Sequence, residues 1–351
     1  MELILKDKSR FSGTSFGANL SLAGEVVFNT GMVGYVESLS DPSYAGQILV
    51  LTYPLVGNYG VPDAGFFESK RIHVAGLVVC QYSETYSHRT AIQSLAEWLK
   101  KEGIPAITGV DTRALTKKLR ERGTMLGALL CDGKAIPWYD PDQENQVSKV
   151  SSTEVVVSGS GLATIVVVDC GAKENIVRLV QKPGIRVLRV PWNYDFTKEA
   201  YDGVVISNGP GDPTHCQETI SVIQKVFAQK KPILGICLGT QLMALASGAK
   251  TYKLKYGHRS HNQPCRDMID GTRCYITSQN HGFAVEEKTL SKDWRVWFEN
   301  ANDGTVEGII HKTLPFYGVQ FHPEASPGPT DTEWIINDFV SKVLKKLPTP
   351  R

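Results

Sequence analysis

Residues 231–244 read Lys-Pro-Ile-Leu-Gly-Ile-Cys-Leu-Gly-Thr-Gln-Leu-Met-Ala, and this stretch decides the fold class of the chain. Its pattern predicts a short buried strand, a tight turn around Cys237 and then a helix. Glycines on both sides of the cysteine leave room for a substrate, and the start of the helix favours negative charge. The stretch therefore predicts a nucleophile elbow, in which the side chain at the turn projects from the end of a sheet strand.

A cysteine nucleophile needs a base, because a free thiol is only a few per cent thiolate at neutral pH. The segment Gln320-Phe-His-Pro-Glu offers His322 and Glu324. In an extended segment these two side chains point the same way, which would let the carboxylate orient the imidazole. Each motif alone favours an ordinary core role for its residues. Together they predict a catalytic set of nucleophile, base and orienting group, which is Cys237, His322 and Glu324.

The motif Gly235-Ile-Cys-Leu-Gly, together with His322-Pro-Glu, resembles the class I (triad) glutamine amidotransferases. A third stretch, Asn208-Gly-Pro-Gly-Asp-Pro, is similar to the oxyanion loop of that family. Standing alone, it would be interpreted as an ordinary Gly/Pro turn. By the resemblance, the backbone amides of Gly209 and Leu238 would form the oxyanion hole for a tetrahedral intermediate.

The rest of the chain carries seven further motifs, which are Gly24-Glu-Val-Val-Phe-Asn-Thr-Gly-Met-Val-Gly-Tyr, Asp41-Pro-Ser-Tyr, Thr52-Tyr-Pro-Leu-Val-Gly-Asn-Tyr-Gly, Gly109-Val-Asp-Thr-Arg-Ala-Leu-Thr, Asp169-Cys-Gly-Ala-Lys-Glu-Asn-Ile, Gly257-His-Arg-Ser-His-Asn-Gln-Pro and Ser278-Gln-Asn-His-Gly-Phe-Ala-Val. They resemble one branch of these enzymes, the small (glutaminase) subunits of carbamoyl phosphate synthetase. The similarity runs from about Leu3 to about Leu344. The equivalent N-terminal region of a fused multifunctional synthetase would share it.

The resemblance implies hydrolysis of L-glutamine to glutamate and ammonia through a γ-glutamyl thioester on Cys237. His322 would take the thiol proton and deliver it to the departing ammonia, while Glu324 holds the imidazole. By the same resemblance, glutamine would be bound by Ser43, Gly209, Gly211, Leu238, Gln241, Asn280, Gly282 and Phe283. Since Ser43 falls in the other predicted domain, the resemblance implies a pocket closed by a domain interface.

One position departs from the resemblance, because Thr240 stands where carbamoyl phosphate synthetases usually have histidine. We expect this change to affect glutamine affinity or coupling to a partner more than hydrolysis. His281 is interpreted as a structural histidine, with a role in the glutamine site as the alternative. The spacing of the remaining candidate histidines predicts no metal site, and these are His215, His258, His261 and His311.

The implied partner is a carbamoyl phosphate synthetase large subunit or a set of fused synthetase domains. No Gly-rich phosphate-binding loop is found in the sequence, so ATP, bicarbonate and Mg²⁺ are expected only at that partner, and no cofactor is expected in this chain. The ending Lys345-Lys-Leu-Pro-Thr-Pro-Arg resembles a cut linker and favours an excised domain. Two alternatives stay open: another γ-glutamyl hydrolase, and a catalytically silent scaffold or allosteric subunit. The pathway, pyrimidine or arginine biosynthesis, stays open as well.

Composition excludes several other classes. A net charge of +2 over 351 residues gives no indication of nucleic-acid binding. Seven cysteines without a CxxC pair argue against a disulfide framework or a structural zinc site and favour a reducing compartment. The apolar runs are too short to span a bilayer, and the N-terminus lacks a signal-peptide pattern. We therefore expect a cytoplasmic location, although a processed organellar precursor would look the same.

The pattern predicts two domains, residues 1–131 and 162–347, joined by a polar linker at 132–161 that contains Glu154-Val-Val-Val as a short strand or docking segment. The first is expected to be a smaller β-rich α/β domain with helices over 90–101 and 111–122. The second alternates apolar strands with helices, which predicts a doubly wound α/β domain with a mostly parallel sheet. Its expected strands are 164–169, 185–190, 203–207 and 232–236, and its expected helices are 173–182, 217–229 and 238–247. Residues 272–277 and 317–321 are expected in an added mixed or antiparallel portion, and a closing helix is expected from near Asp331.

Overall fold

The computed structural model describes residues 1–345, which divide into two units between Glu144 and Asn145. This boundary falls inside the predicted linker, so residues 132–144 belong to the first unit and 145–161 to the second. The domain limits 1–131 and 162–347 remain predictions. Residues 346–351, which include the end of the predicted second domain and most of the linker-like ending, lie outside the described residues.

The first unit is built around a mixed sheet of eight strands, with a separate two-stranded pair. The strands are β1 (Glu2–Leu5), β2 (Arg10–Ser12), β3 (Thr14–Ser15), β4 (Leu22–Asn29), β5 (Gln47–Leu51), β6 (Leu55–Val56), β7 (Gly76–Val78), β8 (Gln81–Tyr82), β9 (Ala106–Thr108) and β10 (Met125–Leu130). The sheet order is β2-β1-β10-β4-β5-β7-β9-β3, and β6 pairs with β8. Strands β4, β5, β7 and β9 run parallel, whereas the outer pairs are antiparallel. The prediction of a smaller, β-rich α/β domain is confirmed.

The helices of the first unit are α1 (Tyr35–Ser40), α2 (Leu95–Lys101) and α3 (Thr112–Arg122). Helix α3 begins and ends as predicted, with Asp111 as its N-cap. Helix α2 begins five residues later than predicted, so the prediction of a helix from residue 90 is wrong. Its true start is a capping box formed by Ser94 and Glu97. The preceding residues are held in extended form instead, because Gln93 pairs with Val61.

The second unit contains a ten-stranded sheet within residues 145–345. Its strands are β11 (Val156–Gly159), β12 (Ala163–Asp169), β13 (Ile185–Pro191), β14 (Gly203–Ile206), β15 (Ile233–Ile236), β16 (Thr251–Asp267), β17 (Cys274–Val285), β18 (Trp294–Asn300), β19 (Val306–His311) and β20 (Phe316–Val319). Its helices are α4 (Val147–Val150), α5 (Glu174–Val180), α6 (Gln217–Gln229), α7 (Leu238–Ala246) and α8 (Trp334–Leu344). The sheet order is β11-β13-β12-β14-β15-β20-β19-β18-β16-β17.

The parallel part of this sheet consists of β13, β12, β14, β15 and β20. Strand β20 was expected in an added mixed or antiparallel portion, and it lies parallel to β15 and links the two portions through an antiparallel pairing with β19. Strands β16 to β19 form the antiparallel extension, and β11 lies antiparallel at the opposite edge. The predicted doubly wound, mostly parallel core is therefore confirmed, with one more parallel strand than expected.

Helices cover both faces of the parallel core, because alternate residues of each strand point to opposite sides. Val166 of β12 packs in one hydrophobic cluster with Leu242 of α7. Its neighbour Val167 packs in a second cluster with Phe339 of α8. Both faces are thus buried, which explains the near-continuous apolar strand sequences. Among the described residues, no helix is both long and apolar enough to cross a membrane.

Candidate active site

Cys237 occupies a sharp turn between β15 and α7. Its backbone has φ 53° and ψ −106°, a conformation that a non-glycine residue seldom adopts. Its amide donates to the carbonyl of Val319 at 2.8 Å, and its carbonyl accepts from Thr240 at 3.0 Å. These bonds tie the turn to β20 on one side and to the first turn of α7 on the other. The sequence-predicted nucleophile elbow is present.

Glycine at position 239 is a steric requirement of the elbow. A Cβ atom there would lie 2.1 Å from the carbonyl oxygen of Ile206 in β14. The start of α7 can therefore approach the sheet only because residue 239 has no side chain. This close approach keeps Cys237 at the carboxyl end of the parallel strands, where such sheets bind ligands.

His322 and Glu324 form the pair that the His-x-Glu spacing predicts. Nδ1 of His322 lies 2.6 Å from Oε1 of Glu324, and both side chains are almost fully buried. The amide of His322 donates to the carbonyl of Ser278 at 2.8 Å, which anchors the segment to β17. Nε2 of His322 is buried and makes no hydrogen bond of ordinary geometry among residues 1–345, while the Cys237 thiol interacts with the ring. The carboxylate thus binds one nitrogen of the imidazole ring and leaves the other nitrogen available for proton transfer.

The thiol of Cys237 contacts two further groups. Sγ lies 3.7 Å from the carbonyl oxygen of Asn280 and 3.6 Å from Nε2 of Gln320. The cysteine side chain is only 2% exposed. Sequence reasoning assigned no role to Gln320, although it begins the motif that supplies His322.

Lys173 is a functional candidate that sequence reasoning missed. Its Nζ lies 3.0 Å from Oε1 of Glu324 and donates to the carbonyl of Ala325, and its side chain is buried. Its amide donates to Oδ1 of Asn208 at 3.0 Å. Lys173 lies in one of the motifs that carry the family resemblance, but nothing in that motif shows that its ammonium group reaches a carboxylate far along the chain. The sequence indicated a role for Lys173 only through its place in that motif.

These charges set the protonation of the buried pair. Burial opposes ionisation of Glu324, but the Lys173 ammonium and the His322 imidazole lower its pKa to about 2. Burial also disfavours the charged form of His322, and Lys173 acts in the same direction. The Glu324 carboxylate and the Cys237 thiol outweigh both and raise the pKa of His322 to about 10. His322 therefore holds a proton strongly, and Glu324 stays ionised.

The two residues predicted for the oxyanion hole lie close together. A Cβ atom at Gly209 would be 2.8 Å from Cδ2 of Leu238 and 2.1 Å from the carbonyl oxygen of Cys170. Leu238 is the first residue of α7, so its amide belongs to the first turn of the helix, where backbone donors have no partner within the helix.

The other residues predicted to bind glutamine lie in three places. Gln241 of α7 donates through Nε2 to the carbonyl of Phe283 at 2.9 Å, and Asn280 of the same strand contacts the thiol. Gly282 lies between them in β17. Gly211 has φ 81° and packs against Gln146. Ser43 belongs to the first unit, where it lies in a 3₁₀ turn whose cap, Asp41, accepts from its amide at 2.9 Å.

Next to Asn280 and Gly282 of β17 lies a cluster of three buried residues, His258, His281 and Glu307, with the exposed Asp303 at its edge, and the sequence did not predict it. His258 is placed between Asp303 at 2.8 Å and Glu307 at 3.1 Å, and His281 has its Nε2 3.7 Å from Glu307. The ligand atoms of His258, His281 and Glu307 all lie within 4.8 Å of one another, and such donor types can hold a transition metal. In the structure these groups contact one another directly. Burial opposes protonation of His258, but its two carboxylate partners raise its pKa to about 9.

His281, interpreted from sequence as structural, has protein partners on both ring nitrogens. Nδ1 lies 2.8 Å from the carbonyl of Phe283, and Nε2 lies 3.2 Å from Oε1 of Gln279. This bonding is consistent with the structural interpretation. It also links His281 to the carbonyl that Gln241 contacts, so the histidine shapes the predicted glutamine-binding segment.

The seven cysteines are all free, and their environments differ. Cys170 and Cys265 are buried, and burial raises the pKa of both thiols well above the ordinary value. Burial also raises the pKa of Cys216 to about 12. These thiols are therefore poor nucleophiles at neutral pH. Cys237 alone among the seven lies at the elbow.

Comparison with known protein families assigns both units. Residues 3–129 match the family described as carbamoyl-phosphate synthase small chain, CPSase domain, and residues 166–342 match glutamine amidotransferase class-I. The chain is also 48% identical, over 95% of its own length, to the carbamoyl phosphate synthase arginine-specific small chain of Saccharomyces cerevisiae, of which it covers 86%. This chain belongs to the carbamoyl-phosphate synthase small-chain family.

Members of the small-chain family also occur within larger proteins. The chain is 49% identical to multifunctional protein ura1 of Schizosaccharomyces pombe over 98% of its own length, and 53% identical to multifunctional protein CAD of Squalus acanthias over 96%. It spans only 17% and 16% of the lengths of these two relatives. Small chains of this family are thus found both as separate chains and as part of long multifunctional proteins.

Proposed function

We propose that this chain is the glutaminase component of a glutamine-dependent carbamoyl phosphate synthetase. The observation that carries the proposal is the elbow cysteine, Cys237, whose thiol interacts with the buried His322 and Glu324 pair in a class I amidotransferase domain. Both kinds of relative, separate small chain and multifunctional protein, carry this pair of domains. The proposal therefore concerns the glutaminase step that a pyrimidine or an arginine pathway would share.

Hydrolysis begins with attack of Sγ of Cys237 on the side-chain amide carbon of glutamine. Nε2 of His322 takes the thiol proton, and the carbonyl oxygen becomes an oxyanion that accepts from the amides of Gly209 and Leu238. His322 then gives its proton to the amide nitrogen, the carbon–nitrogen bond breaks, and ammonia leaves a γ-glutamyl thioester. Water attacks the thioester, His322 takes the water proton, and glutamate is released as Sγ regains a proton.

The charges of the site support this order of steps. With a pKa of about 10, His322 holds its proton at neutral pH, so in the proposed mechanism the ring acts as an imidazolium beside the sulfur. The imidazolium then has a proton ready for the leaving nitrogen. Glu324 remains ionised throughout, because its pKa is about 2, and it stabilises the charged ring.

Glutamine binding is proposed at the residues that the family resemblance names. Gln241, Asn280, Gly282 and Phe283 would form one wall beside the thiol, and the loop at Gly209 and Gly211 another. The assignment of Ser43 stays a prediction of the family resemblance. The hydrogen bond between Gln241 and the Phe283 carbonyl supports a pre-formed wall, since both residues are held before substrate arrives.

The proposed partner is a carbamoyl phosphate synthetase large subunit or a set of fused synthetase domains, which would consume the ammonia with ATP, bicarbonate and Mg²⁺. We propose that this chain needs no cofactor for glutamine hydrolysis. The free state of its seven cysteines supports a reducing compartment such as the cytoplasm. We expect the isolated chain to hydrolyse glutamine slowly and the synthetase to raise its turnover number. Titration of the synthetase while glutamate release is followed would test this, and full activity that a bound partner leaves unchanged would contradict it.

The central experiment is a glutaminase assay of wild type, Cys237→Ala and Cys265→Ala, each with and without a synthetase subunit. We expect Cys237→Ala to lose at least about a thousandfold in glutamate release, as for deletion of a triad nucleophile. Cys265→Ala removes another buried thiol of the same unit and should retain activity. More than a tenth of wild-type hydrolysis in Cys237→Ala would refute the assignment.

The same assay separates the two alternative functions. A silent scaffold would release no glutamate in any combination. A different γ-glutamyl hydrolase would cleave γ-glutamyl peptides faster than glutamine and would ignore the synthetase. An electrophilic glutamine analogue adds a direct readout, because it should label Cys237 alone among the seven cysteines.

A further inference from the structure

The side chain of Gln320 contacts the sulfur atom of Cys237. It follows β20 directly, its side chain is almost fully buried, and Nε2 lies 3.6 Å from Sγ of Cys237. Its own amide donates to the carbonyl of Glu307 at 2.8 Å, which fixes the backbone. The residue is thus rigidly placed on a short segment between the strand and His322.

The orientation of the Gln320 amide follows from its neighbours. The Phe283 carbonyl can only accept, so the atom of Gln241 that lies 2.9 Å from it must be the donor, Nε2. That same nitrogen lies 3.0 Å from the Gln320 side chain, and it requires an acceptor there. The oxygen of Gln320 therefore faces Gln241, and its NH₂ group faces the sulfur.

The two contacts of the sulfur favour opposite protonation states. The Asn280 carbonyl at 3.7 Å can accept from the neutral S–H group but cannot stabilise a thiolate. The Gln320 NH₂ group donates toward the sulfur, and a hydrogen bond to a charged acceptor is stronger than one to a neutral acceptor. We propose that Gln320 is a further catalytic residue, whose side-chain N–H stabilises the thiolate of Cys237 while Gln241 fixes its orientation. This inference rests on the proposed role of Cys237 as a thiolate nucleophile.

The test measures the thiolate directly, without glutamine turnover. Wild type, Gln320→Leu and Gln320→Glu are treated with iodoacetamide between pH 5 and 10, and alkylation of the Cys237 peptide is followed by mass spectrometry. The midpoint of the rate against pH reports formation of the thiolate. It does not depend on how well the reagent reaches the buried sulfur, because access scales every rate alike.

We expect Gln320→Leu to move this midpoint upward by about one pH unit, which is the loss of one hydrogen bond to a charged group. Gln320→Glu keeps the volume and the acceptor for Gln241 but places a carboxylate beside the sulfur, so its midpoint should move at least as far. If Gln320→Leu fails to fold by circular dichroism, Gln320→Glu decides alone. An unchanged midpoint in a folded Gln320→Glu variant overturns the proposal.

Gln279→Leu is the matched control. Gln279 is as buried as Gln320 and donates to a different thiol, Cys265, at 3.3 Å. The same substitution there should leave the Cys237 midpoint unchanged. An equal shift in both variants would show a general effect of removing a buried amide and would also overturn the proposal. Because no step needs glutamine, a shifted midpoint in a chain without glutaminase activity would uphold this role of Gln320 and refute only the proposed function.

Discussion

Nζ of Lys173 and Nδ1 of His322 share one oxygen atom, Oε1 of Glu324, at 3.0 Å and 2.6 Å. All three side chains are almost fully buried. The Glu324 carboxylate is therefore shared between two cationic groups, and the Lys173 ammonium opposes the rise that the carboxylate causes in the pKa of His322. The ammonium lowers the pKa of both partners, so its removal should be felt at each of them.

Lys173→Met tests this balance. A buried pair that loses one partner costs about 3 to 5 kcal/mol, because the other charge stays in a dry site. We expect a loss near that size in the free energy of unfolding, measured with urea at pH 7. Lys225→Met is the control, because Lys225 pairs with Asp195 at an exposed position and should cost at most about 1 kcal/mol. Equal losses of unfolding free energy in the two variants would contradict the role assigned to Lys173 in the buried pair with Glu324.

Substitution of His322 should lower kcat more than substitution of Glu324. His322→Ala removes the proposed base, so its kcat should approach that of Cys237→Ala. Glu324→Gln removes orientation and charge support alone and should keep more activity. Steady-state kinetics of glutamate release would measure both. A nearly harmless His322→Ala beside a severe Glu324→Gln would require another base.

Stability at alkaline pH should depend on His322. Its folded pKa of about 10 lies above the ordinary value of 6.5, so its stabilising charge is fully present below pH 6.5 and is lost as pH rises toward 10. We expect the unfolding free energy of wild type to fall more steeply over this range than that of His322→Gln. The difference between the two curves isolates this residue from other groups that titrate there. Parallel curves would show that the folded state does not hold the proton.

Thr240, the departure from the family pattern, should resist replacement by histidine. Its hydroxyl donates within the fold to the carbonyl of Val319 at 2.7 Å, and the side chain is fully buried against Gly318. Overpacking of such a site costs about 1 to 3 kcal/mol. Thr240→His should therefore lower the thermal midpoint, whereas Thr240→Ser, which keeps the hydroxyl, should lower it less. The reverse order would mean that the site has room for the larger ring.

The elbow and the triad pair could be predicted because their geometry is local. A strand, Cys237 and a helix follow one another directly, and His322 and Glu324 are two residues apart in an extended segment. Local spacing fixes which way such side chains point. The joining of these two segments was inferred from the complementary chemistry of the two motifs and from the family resemblance, since nothing in the spacing brings them together.

Lys173 and Gln320 could not be assigned because their partners are distant in sequence. The ammonium of Lys173 reaches Glu324, and the amide of Gln320 reaches Cys237, only after β12, β15 and β20 have assembled side by side. Likewise, the apolar run of β20 carries no sign of whether it pairs parallel or antiparallel. This missing information is why the strand was predicted only as part of a mixed or antiparallel portion.

The backbone of Cys237, at φ 53° and ψ −106°, lowers folding stability at the same residue whose side chain is proposed to react. Such a conformation costs about 1 to 3 kcal/mol for a residue with a side chain and nearly nothing for glycine. Cys237→Gly would relieve that cost and abolish the nucleophile in the same step. An engineering campaign that ranks variants of this protein by heat resistance alone would therefore tend to retain inactive molecules, and each round needs a readout of thiol reactivity beside the melting curve.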